Sequence, residues 1–265
     1  MNVAISRPEL GVAIFAKDEA HLLHRTIVSV KRALAALSGL GVAADVVVVQ
    51  YGNCEKTRAW LAEKCQFRVV GLEQASLGEA RSRAFELLKN RFLAFIDGGD
   101  LWSANFLVDA LSRATRCGQQ VVWRPAFSVS FADEYFSTNL LVRRDTPWPE
   151  VLNPASLLLE PIFPATFLTA RTVLEAVPFP VEDKERGWTE IDWWWSANLA
   201  GQGIEQIPVA ESIHYHRVPP PELQVKRGRM GPTSLSRPTG KKKQPGLSRV
   251  EVQRQDRELF QAQSI

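Results

Sequence analysis

The stretch FLAFIDGGDLW, residues 92–102, places two carboxylates, Asp97 and Asp100, directly behind an apolar run. Phe92 to Ile96 reads as a strand buried on both faces. Gly98 and Gly99 let the chain turn there and let a ligand approach the backbone. Acids at the carboxyl end of a buried parallel strand stand where open α/β sheets bind ligands. Two hard oxygen donors suit Mg²⁺ or Mn²⁺ carrying a diphosphate, because such ions take few carboxylates and keep water and phosphate oxygens as their other ligands. Asp and Gly are also what tight turns favour, so the segment taken alone supports a plain turn equally well.

Other chemistry-bearing residues follow. Glu190 and Asp192 open the segment EIDWWWSANLAGQG. Two residues apart, they do not share a helix face, so only one can aim at a substrate. Both also suit the positive end of a helix dipole. Trp193, Trp194 and Trp195 cover most of a helix circumference; core packing accounts for at least two, and an indole facing a cleft, with Trp194 the candidate, can stack on a sugar face. His214 and His216 flank Tyr215 and so share one side of a strand. His216 is thereby a candidate metal ligand beside Asp100, although an ordinary interior or surface pair fits as well. Gln50 and Tyr51 follow an apolar strand; the amide can read a base edge and the ring can stack on it, or the pair belongs to a solvent-facing turn. The sequence contains no HExxH, no P-loop and no GxGxxG.

The elements that must hold these residues alternate regularly in the first half. Strands are expected at 12–15, 45–49, 67–70 and 92–96, and helices at 19–37, 55–64, 78–90 and 103–116, with Asp18 capping the first helix. Four strand–helix repeats in order imply a parallel sheet with right-handed crossovers and helices on both faces. The loops after Phe15, Val49 and Ile96 then lie along one carboxyl edge and line one cleft. Beyond residue 120 the alternation breaks. Strands are expected at 121–123, 127–131, 140–142 and 204–207, and a helix at 191–200.

The bulk numbers set limits. The chain has 265 residues, 45% hydrophobic and 23% charged, ordinary values for a globular protein. No apolar run approaches the ~20 residues that span a bilayer, and residues 1–10 lack the pattern of a signal peptide. A cytoplasmic protein is expected, with Cys54, Cys65 and Cys117 as free thiols. The net charge of +3 is uneven: residues 219–265 hold 10 Lys and Arg against 4 Asp and Glu, so they carry +6 and the rest carries −3. This Pro- and Gly-rich segment reads as a basic linker with a short terminal helix at 249–262. It is a candidate for contact with the inner face of an anionic membrane; no nucleic-acid partner is expected.

Five stretches in order resemble the family 2 glycosyltransferases, inverting enzymes of GT-A fold that use nucleotide-sugars. They are VAIFAKDEAHLLHRTIVSV, DVVVVQYGNCEKTRAWL, SLGEARSRAFELLKNRFLAFIDGGDLW, PATFLTARTVLEAV and TEIDWWWSANLAGQGIEQIP. The resemblance covers about residues 10–218. It implies a Rossmann-type, mostly parallel α/β sheet flanked by helices over residues 1–218. The nucleotide-binding half would be about 10–118 and the irregular acceptor half 119–218, followed by the 219–265 tail. It implies a nucleotide-sugar donor and a saccharide or lipid-linked acceptor, as in surface-polysaccharide assembly. On the matching positions, Ala16, Glu19, Gln50, Tyr51, Arg81 and Asp97 would face the nucleotide-sugar, with Arg81 toward its phosphates. Asp97 and Asp100 match the first and last acids of the family's D-x-D-D, and Gly99 stands where the middle acid, often the metal ligand, is found. Asp100, Asp97 and His216 would hold Mg²⁺ or Mn²⁺. Glu190, with Asp192 second, would be the catalytic base, and Trp194 would meet the acceptor. A catalytically silent binding or scaffold domain on the same fold is the alternative, and a nucleotidyltransferase ranks last because the glycine- and lysine-rich first loop of such enzymes is lacking.

Overall fold

The computed structural model describes residues 9–116, 120–131, 136–139, 163–182 and 190–218. The expected strand at 140–142, the basic segment 219–265 with the helix expected at 249–262, and Cys117 lie outside the described residues.

The first half forms as its apolar pattern dictates. Strands β1 (Leu10–Ala16), β2 (Ala44–Tyr51), β3 (Arg68–Leu72) and β4 (Phe92–Asp97) lie in the order β3-β2-β1-β4, all parallel. Phe15 pairs with Val49 on one side and with Asp97 on the other. The loops after these three strands therefore open onto one edge, as expected. Alternate residues of β1 and β4 serve two cores. Val12, Ile14, Ala94 and Ile96 pack with helices α1 (Leu23–Ser38) and α4 (Phe106–Arg116). Ala13, Phe15, Leu93 and Phe95 pack on the other face with α3 (Leu77–Leu87). Helix α2 (Glu55–Lys64) completes this half.

Two expectations change in detail. The helix expected at 19–37 is divided into a 3₁₀ turn at Ala20–Leu22 and α1 from Leu23. Glu19, not Asp18, occupies the cap position of the turn, and Ala20 takes a φ of +47°. The strands expected at 121–123 and 127–131 are one strand, β6 (Val121–Phe131), with an irregular register between Pro125 and Phe127. Proline can give no ladder hydrogen bond, which is why the sequence looks interrupted there.

The second half closes the sheet with mixed directions. Strand β8 (Phe167–Ala170) pairs antiparallel with β4, β6 pairs antiparallel with β8, and β9 (Glu205–Arg217) runs parallel to β6. The two-residue β5 (Leu101–Trp102) pairs antiparallel with β9, and β7 (Phe136–Asn139) with β6. Helices α5 (Arg171–Ala176) and α6 (Ile191–Gly201) lie on the face shared with α3. The tryptophan run of α6 divides as its packing requires: Trp193 and Trp195 are buried and Trp194 is half-buried. The Trp195 ring lies 4.7 Å from both Phe167 and Phe179, and its indole N–H donates to the Val177 carbonyl. Cys54 and Cys65 are free thiols, as expected.

Helix α3 starts where Ser76 sets it. The Ser76 hydroxyl accepts from the Glu79 N–H at 3.2 Å, and the Glu79 carboxylate accepts from the Ser76 N–H at 2.7 Å. This reciprocal cap fixes the first turn of the helix that carries Arg81. Ser76→Ala is expected to lower unfolding free energy by about 1 kcal/mol. Urea denaturation checks this; an unchanged midpoint would show that the start of α3 is held by other contacts.

Candidate functional site

The carboxyl edge of the sheet brings the acids together from three elements. Asp97 ends β4 and continues the side of that strand facing α3. There it meets Arg81, whose side chain is 0% exposed. One guanidinium nitrogen lies 3.2 Å from both Asp97 carboxylate oxygens, and the other donates to Asp192 of α6. The cation also lies over the rings of Phe15 and Phe179, with Cζ 5.6 and 5.4 Å from their centroids. One buried arginine thus joins a strand end and a helix start separated by 95 residues. Burial pushes the Asp97 carboxyl upward and Asp192 and Asp100 add to this, while Arg81 opposes it. Burial works against the Arg81 charge, yet Asp192 and Asp97 leave the guanidinium more firmly protonated than usual.

The turn after Asp97 is built against α1. The Gly98 N–H donates to the Phe15 carbonyl at 2.7 Å, and the Gly99 N–H donates to the Thr26 hydroxyl at 2.9 Å. Gly99 has a φ of +89°, a conformation that strains any residue with a side chain. A Cβ on Gly98 would sit 2.8 Å from the Glu19 carboxyl carbon. The backbone therefore demands glycine at 99, while Gly98 leaves room for the Glu19 and Leu23 side chains.

Asp100 turns to the other side and meets β9. His214 Nε2 lies 2.8 Å and His216 Nδ1 3.2 Å from its carboxylate, which also accepts from the Arg217 N–H at 2.8 Å. Asp100 and His214 are buried; His216 is half exposed. Burial disfavours the Asp100 charge, but the two histidines hold its carboxyl well below the usual carboxylate range. Burial likewise disfavours the His216 cation, and Asp100 more than compensates, raising it. One ligand atom from each of Asp100, His214 and His216 lies within 4.8 Å of the others. A carboxylate with two imidazoles fits Mg²⁺ poorly, because Mg²⁺ takes oxygen almost alone; Mn²⁺ is also a hard ion but accepts imidazole more readily. Among the described residues the buried His214 Nδ1 has no hydrogen-bond partner, and the ring is held through Nε2.

The remaining expected residues line the same edge. Glu19 accepts from the Lys17 N–H at 2.6 Å and packs on Gly98. Burial pushes its carboxyl up to about 7, with Asp18 and Asp97 adding to the rise against hydrogen bonds from its own backbone and that of Lys17. The Gln50 amide donates to the Gly52 carbonyl at 2.8 Å, so its N–H₂ is used to hold its own turn. Tyr51 stands where burial, Asp97 and Glu19 together raise its hydroxyl. Ala16 is buried at the end of β1, paired with Gln50. Glu190 is the residue that caps α6, without a side-chain cap hydrogen bond. The structure thus brings Asp97, Arg81 and Asp192 together, and Asp100, His214 and His216 together. Asp97 is engaged by Arg81 rather than by the histidine group.

His214, the deeper histidine, stands beside Asp100 with His216, with which it shares a strand face. Two contributors escaped sequence reasoning. Thr26 and Ser29 of α1 face inward at helical spacing, and Ser29 accepts from the Trp102 N–H; nothing in their type marked them.

The Glu19 environment gives a pH prediction. Its folded-state value lies above the ordinary 4.5, at about 7. Its contribution to stability is therefore complete below pH 4.5 and is lost as pH rises through 7. Glu19→Gln removes that loss. The thermal midpoint of the variant relative to wild type is expected to be higher at pH 8 than at pH 5, and an identical difference at both would refute the assignment.

No protein-family model and no curated protein sequence matches this chain. Solved structures do. A fragment of Staphylococcus aureus TarS, residues 1–349, superposes with a TM-score of 0.57 at 14% identity over 79% of this chain and 60% of its own. The mannosyltransferase PcManGT of Pyrobaculum calidifontis, in complex with GDP-Man and Mn²⁺, gives 0.54 at 18% over 82% of this chain and 59% of its own. Glucosyl-3-phosphoglycerate synthase of Mycobacterium tuberculosis, with Mn²⁺, UDP and phosphoglyceric acid, gives 0.52 at 17% over 80% and 72%. This chain spans about three fifths of the length of the first two. At these identities the likeness is one of fold, and the fold is that of the GT-A nucleotide-sugar glycosyltransferases.

Proposed function

We propose that this protein is a glycosyltransferase that moves a sugar from a nucleotide-diphosphate donor to a saccharide or lipid-linked acceptor, with inversion at the anomeric carbon. The observation that carries this reading is the meeting of Asp97 and Asp192 on Arg81, with Asp100, His214 and His216 beside them at the carboxyl edge of a GT-A sheet. Five of the similar structures are complexes with a nucleotide or nucleotide-sugar, two of them with Mn²⁺ and one with Mg²⁺.

The chemistry follows from what each side chain can do. The acceptor hydroxyl must lose a proton as its oxygen bonds to the anomeric carbon, while the bond from that carbon to the diphosphate oxygen breaks. A carboxylate on the opposite face of the sugar takes the proton. Asp192 is the better placed of the two acids on α6, because Arg81 holds it in the same cleft as Asp97. Arg81 orients both carboxylates rather than meeting the phosphates directly. Asp97, Glu19, Gln50, Tyr51 and the backbone at Ala16 form the wall for nucleotide and ribose, and Trp194 borders the acceptor side. A divalent cation on Asp100, His214 and His216 would neutralise charge on the departing diphosphate. Residues 219–265 supply the positive charge for peripheral contact with an anionic membrane.

Two measurements test this. Asp192→Asn is expected to lower transfer by about 10²- to 10⁴-fold, the usual weight of a general base, while nucleotide-diphosphate affinity changes little. Glu190→Gln is expected to be the milder change; the reverse order would move the base to Glu190. A catalytically silent scaffold would show no donor binding by calorimetry with a panel of nucleotide-sugars. Separately, Mn²⁺ titration followed by electron paramagnetic resonance is expected to show one site, lost in Asp100→Asn and weakened in His214→Ala. Retention of full affinity in both variants would place the ion elsewhere.

A further inference from the structure

Behind the ribbon that carries Asp100, His214 and His216 lies a separate cleft of about 590 Å³. One wall is a stripe of α1, with His24, Val28 and Arg32 at four-residue spacing and Arg25 beside them. The facing wall includes Leu101 of β5 and Tyr215 of β9, which pair in register. Tyr215 alternates with His214 and His216, so its side chain leaves the strand on the opposite face. None of Asp97, Asp100, Asp192, Arg81, His214 or His216 lines this cleft.

Its charge is one-sided. Three cationic or titratable bases, His24, Arg25 and Arg32, line it, and no acid does. All three are exposed. Among the described residues, neither arginine has a hydrogen bond, ion pair or ring contact. The position of Arg25 is also a poor one for helix stability. His24 and Arg25 sit in the first turn of α1, directly after His21 in the last turn of the 3₁₀ segment, and no acid occupies that first turn. Cations there oppose the helix dipole, so the fold does not account for them, whereas an anionic ligand does. Guanidinium forks match phosphoryl oxygens two at a time. Val28, Leu101 and the Tyr215 ring provide apolar surface for the carbon skeleton next to such a group.

We propose that this cleft binds a phosphoryl group on an organic carrier, at a site distinct from the donor cleft. A phospholipid headgroup and a soluble phosphomonoester present the same chemistry. β9, which supplies Tyr215, runs directly into the +6 segment 219–265, which would reinforce attraction to an anionic lipid surface.

The test uses the full chain in EDTA, so that no divalent ion or donor is needed and the outcome is independent of transfer activity. Glycerol 3-phosphate binding is followed by calorimetry, and binding to phosphatidylglycerol vesicles by co-sedimentation against phosphatidylcholine vesicles. The expected result is saturable binding of at least one probe, weakened about tenfold or more in the double variant Arg25→Glu, Arg32→Glu, and weakened less in Arg25→Lys, Arg32→Lys, which keeps the charge but loses the fork. Loss confined to the vesicles identifies a lipid headgroup, and loss of glycerol 3-phosphate binding with no vesicle binding identifies a soluble ligand. Both side chains are exposed, so a thermal midpoint no lower than that of wild type is expected to confirm folding of each variant. Binding of both probes by the charge-reversed protein as tightly as by wild type, or by neither protein, overturns the proposal.

Discussion

The site depends on one buried cation. Arg81 sits between two carboxylates that would otherwise repel each other, on the helix that directly precedes β4 in the chain. Taking a guanidinium out of water is costly, and only good geometry and further partners offset it. Here the partners are Asp97, Asp192 and two aromatic faces. Remove the arginine and Asp97 loses the one interaction that opposes both its burial and its neighbours' negative charge. The apolar cluster of Phe95, Phe167, Phe179 and Trp195 still brings α6 to β4, but the two carboxylates lose the cation that joins them. Everything proposed for catalysis requires that junction, because donor-side and acceptor-side groups come from opposite halves of the chain.

A second constraint is the backbone at Gly98 and Gly99. The turn must be tight enough for Asp97 and Asp100 to face opposite sides within four residues. One faces α3 and Arg81, the other β9 and its histidines. That geometry needs the positive φ at Gly99 and the close approach of Glu19 to Gly98. Helix α1 then locks the turn by accepting from the Gly99 and Trp102 N–H groups with the Thr26 and Ser29 hydroxyls. The same turn that prevents an acid at position 99 thus presents Asp100 to two imidazoles, so the ligand set draws nitrogen from β9 where it lacks a carboxylate from the turn.

The legible part of this protein is the part whose residues are sorted by polarity. β1, β2 and β4 are apolar runs bounded by turns, and their order gave the parallel half and the shared carboxyl edge. The second half resisted because its core is partly polar. β6 carries Arg124, Ser128 and Ser130 inward, and β9 carries Gln206, Ser212 and His214 inward. A period-two pattern written in polar residues looks like surface, so β9 was read as four residues where it runs for thirteen. The Arg81 partnership was invisible for a different reason. An arginine in the second turn of an amphipathic helix is ordinarily solvated, and its two partners lie 16 and 111 residues away. The Ser-x-x-Glu start of α3 was the local clue that the register of this helix is fixed.

Helix α6 also shows why the polar interior of the second half matters to the site. Asp192 and Ser196 are one turn apart and share a face. Arg81 holds the first, and Arg124 donates to the second at 3.3 Å. Arg124 is buried and satisfied mainly by neutral acceptors: the Gln206 amide oxygen at 2.7 Å, the Ser196 hydroxyl, and the carbonyls of Pro164 and Thr166. Burial lowers its guanidinium to about 9, Asp192 partly opposing that shift and Arg81 adding to it. Asp192 therefore lies within the field of two buried cations that repel each other. Its charge lowers the cost of both, while their hydrogen bonds fix successive turns of the same helix face. The position of the proposed base is thus set by the interior of the protein rather than by its rim, and α6 cannot shift by a turn without leaving two guanidinium groups buried and under-satisfied.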